Sequence, residues 1–156
     1  MISQTAEYAL RAVVCLASRP DAALTAQQIA AFTKVPVGYL SKVLQALGRG
    51  GVVNSQRGLH GGFTLVKPPE QLTVLEIIKA VDPIKRITRC PLDLAAHGKN
   101  LCPLHRRLDD AMATAEKAFG DSVIAELLNE ETQSRPLDLA RVSCAGPVAS
   151  AQPVTE

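Results

Sequence analysis

The stretch TAQQIAAFTKVPVGYLSKVLQALGRGG, residues 25–51, decides the architecture. Thr25 and Gln28 have capping-box spacing, in which each side chain satisfies the other residue's backbone amide, and they predict a short helix through Phe32. Pro36 suits the first turn of a second helix, because its ring presets φ and it needs no amide partner there. Periodicity carries that helix to about Leu47, and Gly48-Arg49-Gly50-Gly51 stops it. The few residues between the two helices leave room only for a tight turn. In the second helix, Val37, Leu40, Val43, Leu44 and Leu47 are assigned to the core. Gly38, Tyr39, Ser41, Lys42, Gln45 and Arg49 are left outside, a polar and basic face of the kind that enters a DNA major groove.

C-terminal to this pair, 52–55 and 63–66 read as two strands joined by Gln56-Arg57-Gly58-Leu59-His60-Gly61-Gly62. Glycines at 58, 61 and 62 free the backbone to come close to a sugar-phosphate strand, which places Arg57 and His60 near a groove. An ordinary hairpin loop would account for the glycines alone; the preceding helix pair makes it a wing. From Ala22 to Pro69, 48 consecutive residues contain no Asp or Glu, yet they include Lys34, Lys42, Arg49, Arg57, Lys67 and His60. The whole chain has 17 basic and 15 acidic residues, so the positive charge is localised and the remainder carries an acidic excess. Cations clustered without carboxylates can neutralise DNA phosphates and release their counterions.

At 156 residues and 47% hydrophobic content, the chain can bury one core, with an appendage. Aromatics are only 3%, so Leu, Val, Ile and Ala must build that core, and a stacking platform for single strands is disfavoured. The expected class is mainly α with a small β wing. No apolar run approaches the roughly 20 residues of a membrane span, and the N-terminus has no basic leader pattern. The expectation is a cytoplasmic protein without membrane partners. Four dispersed cysteines do not make a secreted disulfide framework; in a reducing compartment they are free thiols, metal ligands or redox sensors.

Residues 3–18 predict an amphipathic helix with a Glu7–Arg11 pair, and Cys15 inside it reads as packing. Thr73 and Glu76 form a second capping box, opening a helix through Val81. Residues 83–101 are irregular, and a long helix begins near Cys102 and Pro103. Its stripe is Leu104, Leu108, Ala111, Met112, Ala115, Ala118 and Phe119. No helix of comparable length follows, so the stripe is expected to pack against its copy in a homodimer. Gly120 is read as an interruption before a short helix over 122–129. The division is a DNA-binding domain over 1–83, a cysteine-containing sensor loop over 84–101, a dimerisation helix and short helix over 102–131, and a mobile tail over 132–156 that includes Cys144.

Cys90 and Cys102 bracket the irregular segment, and His105 lies three residues after Cys102. Two soft thiolates and an imidazole can converge there, and a helix N-terminus with Lys85, Arg86, Arg89, Arg106 and Arg107 nearby favours the thiolate.

Glu7-Tyr8-Ala9-Leu10-Arg11, the helix-turn-helix around Tyr39-Leu40, the wing Arg57-Gly58-Leu59-His60-Gly61-Gly62-Phe63 and the Cys90–Cys102 loop together resemble the Rrf-type regulators of the IscR and NsrR kind. The resemblance covers about residues 1–130. It implies a homodimeric winged-helix transcription factor, commonly a repressor, whose affinity for an inverted-repeat duplex operator is set by an iron-sulfur cluster or another small signal. It places Ser41 where other members carry a side chain governing sequence choice. Cluster-binding members have three cysteines in the loop, and Ala96, beside His97, occupies the position matching the middle one. Members with altered ligand sets bind [2Fe-2S] in place of [4Fe-4S], and Glu7 matches an acidic ligand donated by the partner subunit; a surface pair with Arg11 is the competing role. Four readings of the loop stand: a cluster on Cys90, Cys102, His105 or His97 and Glu7; zinc on two Cys and two His; a reversible Cys90–Cys102 disulfide; and no cofactor.

Two other classes fit less well. A thiol enzyme using Cys102 and His105 lacks an orienting third group and an oxyanion loop in the sequence. A winged-helix protein-interaction module has no general need for the acid-free segment.

Overall fold

The computed structural model describes residues 2–58, 61–91, 100–130 and 136–137. Helix α1 spans Gln4–Ala17 and is capped by Ser3, whose hydroxyl accepts from the Ala6 amide at 3.2 Å. Its Ala9, Ala12, Val13 and Leu16 are buried. The small alanines let later helices approach the α1 backbone, so α1 is the axis on which α2, α3 and α4 pack.

Helix α2 (Ala26–Thr33) starts at the expected capping box, with Gln28 Oε1 accepting from the Thr25 amide at 2.8 Å and the Thr25 hydroxyl accepting from the Gln28 amide at 3.3 Å. Lys34 ends it in the left-handed conformation, φ 59°. Arg11 on α1 donates to the Thr33 carbonyl at 3.2 Å, satisfying a group that a helix end leaves open. Helix α3 (Val37–Arg49) follows, two residues longer than the periodicity predicts, and its Leu40, Val43, Leu44 and Leu47 are buried. Val37 corrects the sequence reading: it is 43% exposed, not core. It is the first residue of α3, ahead of the turn that meets α1 and α2, and Val35 in the connecting turn is the residue that is buried.

Strands β1 (Val53–Gln56) and β2 (Gly62–Leu65) pair antiparallel, Val53 opposite Leu65 and Gln56 opposite Gly62. Each is offset by one residue from the sequence expectation. Leu24 extends the ladder by exchanging backbone bonds with Phe63 at 2.8 and 3.1 Å. That approach requires glycine at 62, where a Cβ would lie 2.8 Å from the Leu24 carbonyl. Gly58, at φ +112°, supplies the other conformation that a side chain would resist.

A short 3-10 turn, Pro69–Gln71, leads into α4 (Val74–Val81), which opens on its expected capping box. Then come α5 (Pro103–Asp121) and α6 (Ile124–Asn129). The Val74 amide donates to the Ser122 carbonyl at 3.0 Å and the Ile124 amide to the Leu72 carbonyl at 2.9 Å, so the start of α6 is bonded to the entry of α4. Gly120 does not interrupt α5, which continues to Asp121; it faces α4, where a Cβ at 120 would meet the Leu75 side chain at 3.4 Å. Leu137 packs against the core, although it falls in the expected tail; residues 131–135 and 138–156, with Cys144, lie outside the described residues.

Candidate nucleic-acid interface and cysteine segment

Lys42, Gln45 and Arg49 follow one another at helical spacing along the outer face of α3 and are all exposed. Ser41 beside them is half-buried, and its hydroxyl donates to the Val37 carbonyl at 3.0 Å while its lone pairs stay available. Tyr39 is 40% exposed but not a free side chain. Its hydroxyl lies 2.6 Å from the Thr5 hydroxyl, and its ring meets Tyr8 edge-on at 5.5 Å between centroids. Gln4 in turn donates to the Tyr8 hydroxyl at 2.8 Å. Tyr39 therefore struts the first turn of α3 against α1. Sequence reasoning missed Gln4, Thr5 and Tyr8 as supports; the only signal was that the chain has just two tyrosines.

The wing adds Arg57, exposed directly after β1. Among the described residues no carboxylate pairs with Lys42, Arg49 or Arg57. Lys67 differs: its ammonium sits 2.5 Å from Glu76. The Lys67 hydrogen bond, helped by the Thr73 amide, holds the Glu76 carboxyl below the usual range. Lys67 thus ties the end of the wing to α4, whereas an approaching phosphate meets no competing anion at the other three. His60 lies outside the described residues.

Cys15 is fully buried, and burial pushes its thiol up to about 11 against the opposing pull of Arg19. It packs, as expected. Cys90 is also buried. Cys102 is the N-cap of α5 and half-buried, with Sγ 3.3 Å from His105 Nδ1. Glu7 is engaged by Arg11 at 2.6 Å. Among the described residues no three His, Cys, Asp or Glu side chains converge as a metal-holding group; Ala96 and His97 lie outside them.

The residues leading to Cys90 are strapped to α5. Arg86 grips both oxygens of Asp109, at 2.7 and 2.6 Å, and reaches Glu116 at 3.2 Å, while the Ile87 amide donates to Asp109 at 2.8 Å. Arg86 keeps the Asp109 carboxyl below its ordinary range. This cation is committed to carboxylates and not to Cys102. On α5, Leu104 is 63% and Leu108 45% exposed. Met112, Ala115 and Phe119 border a groove of about 610 Å³ against α1 and the end of α4.

Residues 2–130 match the Rrf2 family, described as an iron-dependent transcriptional regulator. The chain belongs to the Rrf2 family. A protein of Aquifex aeolicus (strain VF5), described as an HTH-type transcriptional regulator, is 31% identical over 134 residues, covering 84% of this chain and 93% of that protein. The solved structure of T. potens IscR superimposes with a TM-score of 0.70 at 20% identity, over 86% of this chain and 91% of that one. CymR of B. subtilis, its global cysteine regulator, gives 0.67 at 21% identity over 81% and 95%. These likenesses fix the winged-helix fold. Rrf2 proteins are transcriptional regulators that bind DNA, not enzymes. No helix among the described residues is long and apolar enough to cross a membrane.

Proposed function

We propose that this Rrf2 protein is a homodimeric repressor that grips an inverted-repeat operator with α3 and the wing, and that an iron-sulfur cluster or a redox or nitric-oxide signal at the Cys90–Cys102 segment sets its affinity. One observation carries the DNA reading: Lys42, Gln45, Arg49 and Arg57 are exposed within a stretch free of carboxylates. A twofold dimer presents two such faces, matching half-sites about one helical turn, roughly 34 Å, apart. The exposed Leu104 and Leu108 support α5 as the dimer helix, since water would otherwise cover them.

The donor chemistry supports the sensor. Cys102 and His105 bring a cysteine sulfur and an imidazole nitrogen side by side, donor types that suit iron-sulfur or zinc. Cys90 opens the same segment, and Glu7 of the partner subunit would add a carboxylate. Such a group supplies a link between ligands that oxidation can break. The chain's own contribution is mechanical: the Arg86–Asp109 strap transmits a shift of the segment to α5. Protein purified without oxygen should be coloured and contain iron and sulfide, Cys90→Ser or Cys102→Ser should bleach it, and Cys15→Ser should not. Colourless, iron-free protein whose operator affinity ignores both substitutions would leave a DNA-binding regulator without this sensor.

A further inference from the structure

Gly38 stands on the outer face of α3, one turn before Lys42 and two before Gln45. A Cβ built there meets no heavy atom within 4 Å. Its φ is not among the positive values of the described residues, so the backbone does not demand glycine either. Gly58, by contrast, answers to a positive φ, and Gly62 to the Leu24 backbone pressed against it. A helix, for its part, prefers almost any residue to glycine, because glycine loses the most backbone freedom on ordering. The chain therefore keeps a helix-weakening residue that nothing among the described residues requires. Next to it, Val37 exposes an aliphatic side chain at the start of an otherwise polar face.

Resting on the DNA-binding reading above, we infer that Gly38 is a close-approach position and Val37 a thymine contact. The bare Cα of Gly38 lets the first turn of α3 sit deeper in the major groove than any side chain would allow. The Val37 methyl groups then meet a thymine C5-methyl, and the Gln45 amide further along the helix can pair with adenine N6 and N7. The occupant is duplex DNA, since the same face carries Lys42 and Arg49, which no carboxylate pairs among the described residues. The half-site so read is one with A·T pairs under the start and middle of α3.

The probe is a duplex selected by the wild-type protein from a random-sequence pool. Gly38→Ala and Gly38→Val should fold, with the alanine variant melting no lower than wild type. Both should bind the selected duplex at least about tenfold more weakly, valine more than alanine, while keeping salt-dependent binding to unselected duplex. Replacing thymines singly by deoxyuridine removes only the C5-methyl. At one position in each half-site this should weaken the wild type several-fold, and it should not weaken Val37→Ala further. Gly38→Ala binding as tightly as wild type, or a deoxyuridine scan without effect, would overturn the inference and leave DNA binding intact. A wild-type protein that enriches nothing and binds no duplex in a salt-dependent way would overturn the DNA-binding reading, and this one with it.

Discussion

Arg57 and Lys67 bracket the wing and carry the same charge, yet their surroundings assign them different work. Among the described residues Arg57 has no carboxylate partner, whereas Lys67 is held by Glu76. An arginine at the base of a wing can enter a narrow minor groove, where negative potential is enhanced. Arg57→Ala should therefore weaken operator binding by about tenfold or more, on the scale of about 1–3 kcal/mol for a specific contact, while Lys67→Ala stays within about twofold by the same measure. Fluorescence anisotropy on one duplex settles it, and equal losses for both would reduce Arg57 to a phosphate clamp. The cysteines divide in the same way. Cys15 is buried and its thiol is pushed up to about 11, so brief alkylation of native protein followed by mass spectrometry should leave it unmodified while Cys102 reacts. Modification of Cys15 at the rate of Cys102 would show that α1 opens far more readily than its packing allows.

Among the elements, α4 links the two halves of the molecule: Glu76 takes Lys67 from the wing, and Lys79 approaches Glu116 of α5, which also receives Arg86. Glu76 and Asp109 both titrate below their ordinary values of 4.5 and 3.8 when folded. A carboxylate with a depressed folded pKa contributes stability above its unfolded pKa and loses it as pH falls through the folded value. Melting temperature should thus drop on acidification below about pH 4.5, and Glu76→Gln should remove part of that drop. An acid profile identical in the variant would mean that the Lys67 tie contributes nothing. Leu44→Ala, in the buried stripe of α3, should cost about 2–5 kcal/mol in urea unfolding. These elements were largely legible in the chain. Both capping boxes lie where the Thr25–Gln28 and Thr73–Glu76 spacings put them, because such caps depend on residues three apart. Val37 was misplaced because periodicity counts faces and cannot see that the first turn of α3 overhangs its neighbours. Gly120 was misread because a single glycine lowers helix propensity without ending a helix, and α5 runs through it to Asp121. The Tyr8–Tyr39 strut and the Arg86–Asp109 strap join residues 31 and 23 positions apart, and no local pattern announces them. Of the candidate site, the exposed α3 stripe was readable, but the commitment of Lys67 to Glu76 was not.

For the whole molecule, placement matters more than total charge. The chain carries a formal charge of only +2, so total charge gives DNA little attraction, and in the proposed reading the cations segregated onto α3 and the wing supply it. The proposed pairing through α5 would double that surface. Light scattering should give twice the 16.6 kDa chain mass, and Leu108→Glu should yield a helical monomer with weakened operator binding; wild-type protein that is monomeric at micromolar concentration would remove the twofold geometry. The most direct test of DNA recognition by this surface is the salt dependence of binding to a duplex selected by the wild-type protein. Lys42, Arg49 and Arg57 from two protomers predict that the logarithm of the affinity falls linearly with the logarithm of salt concentration, with a slope of about −5, and that Arg57→Ala makes it shallower by about two units per dimer. A slope near zero, or one that Arg57→Ala leaves unchanged, would contradict it.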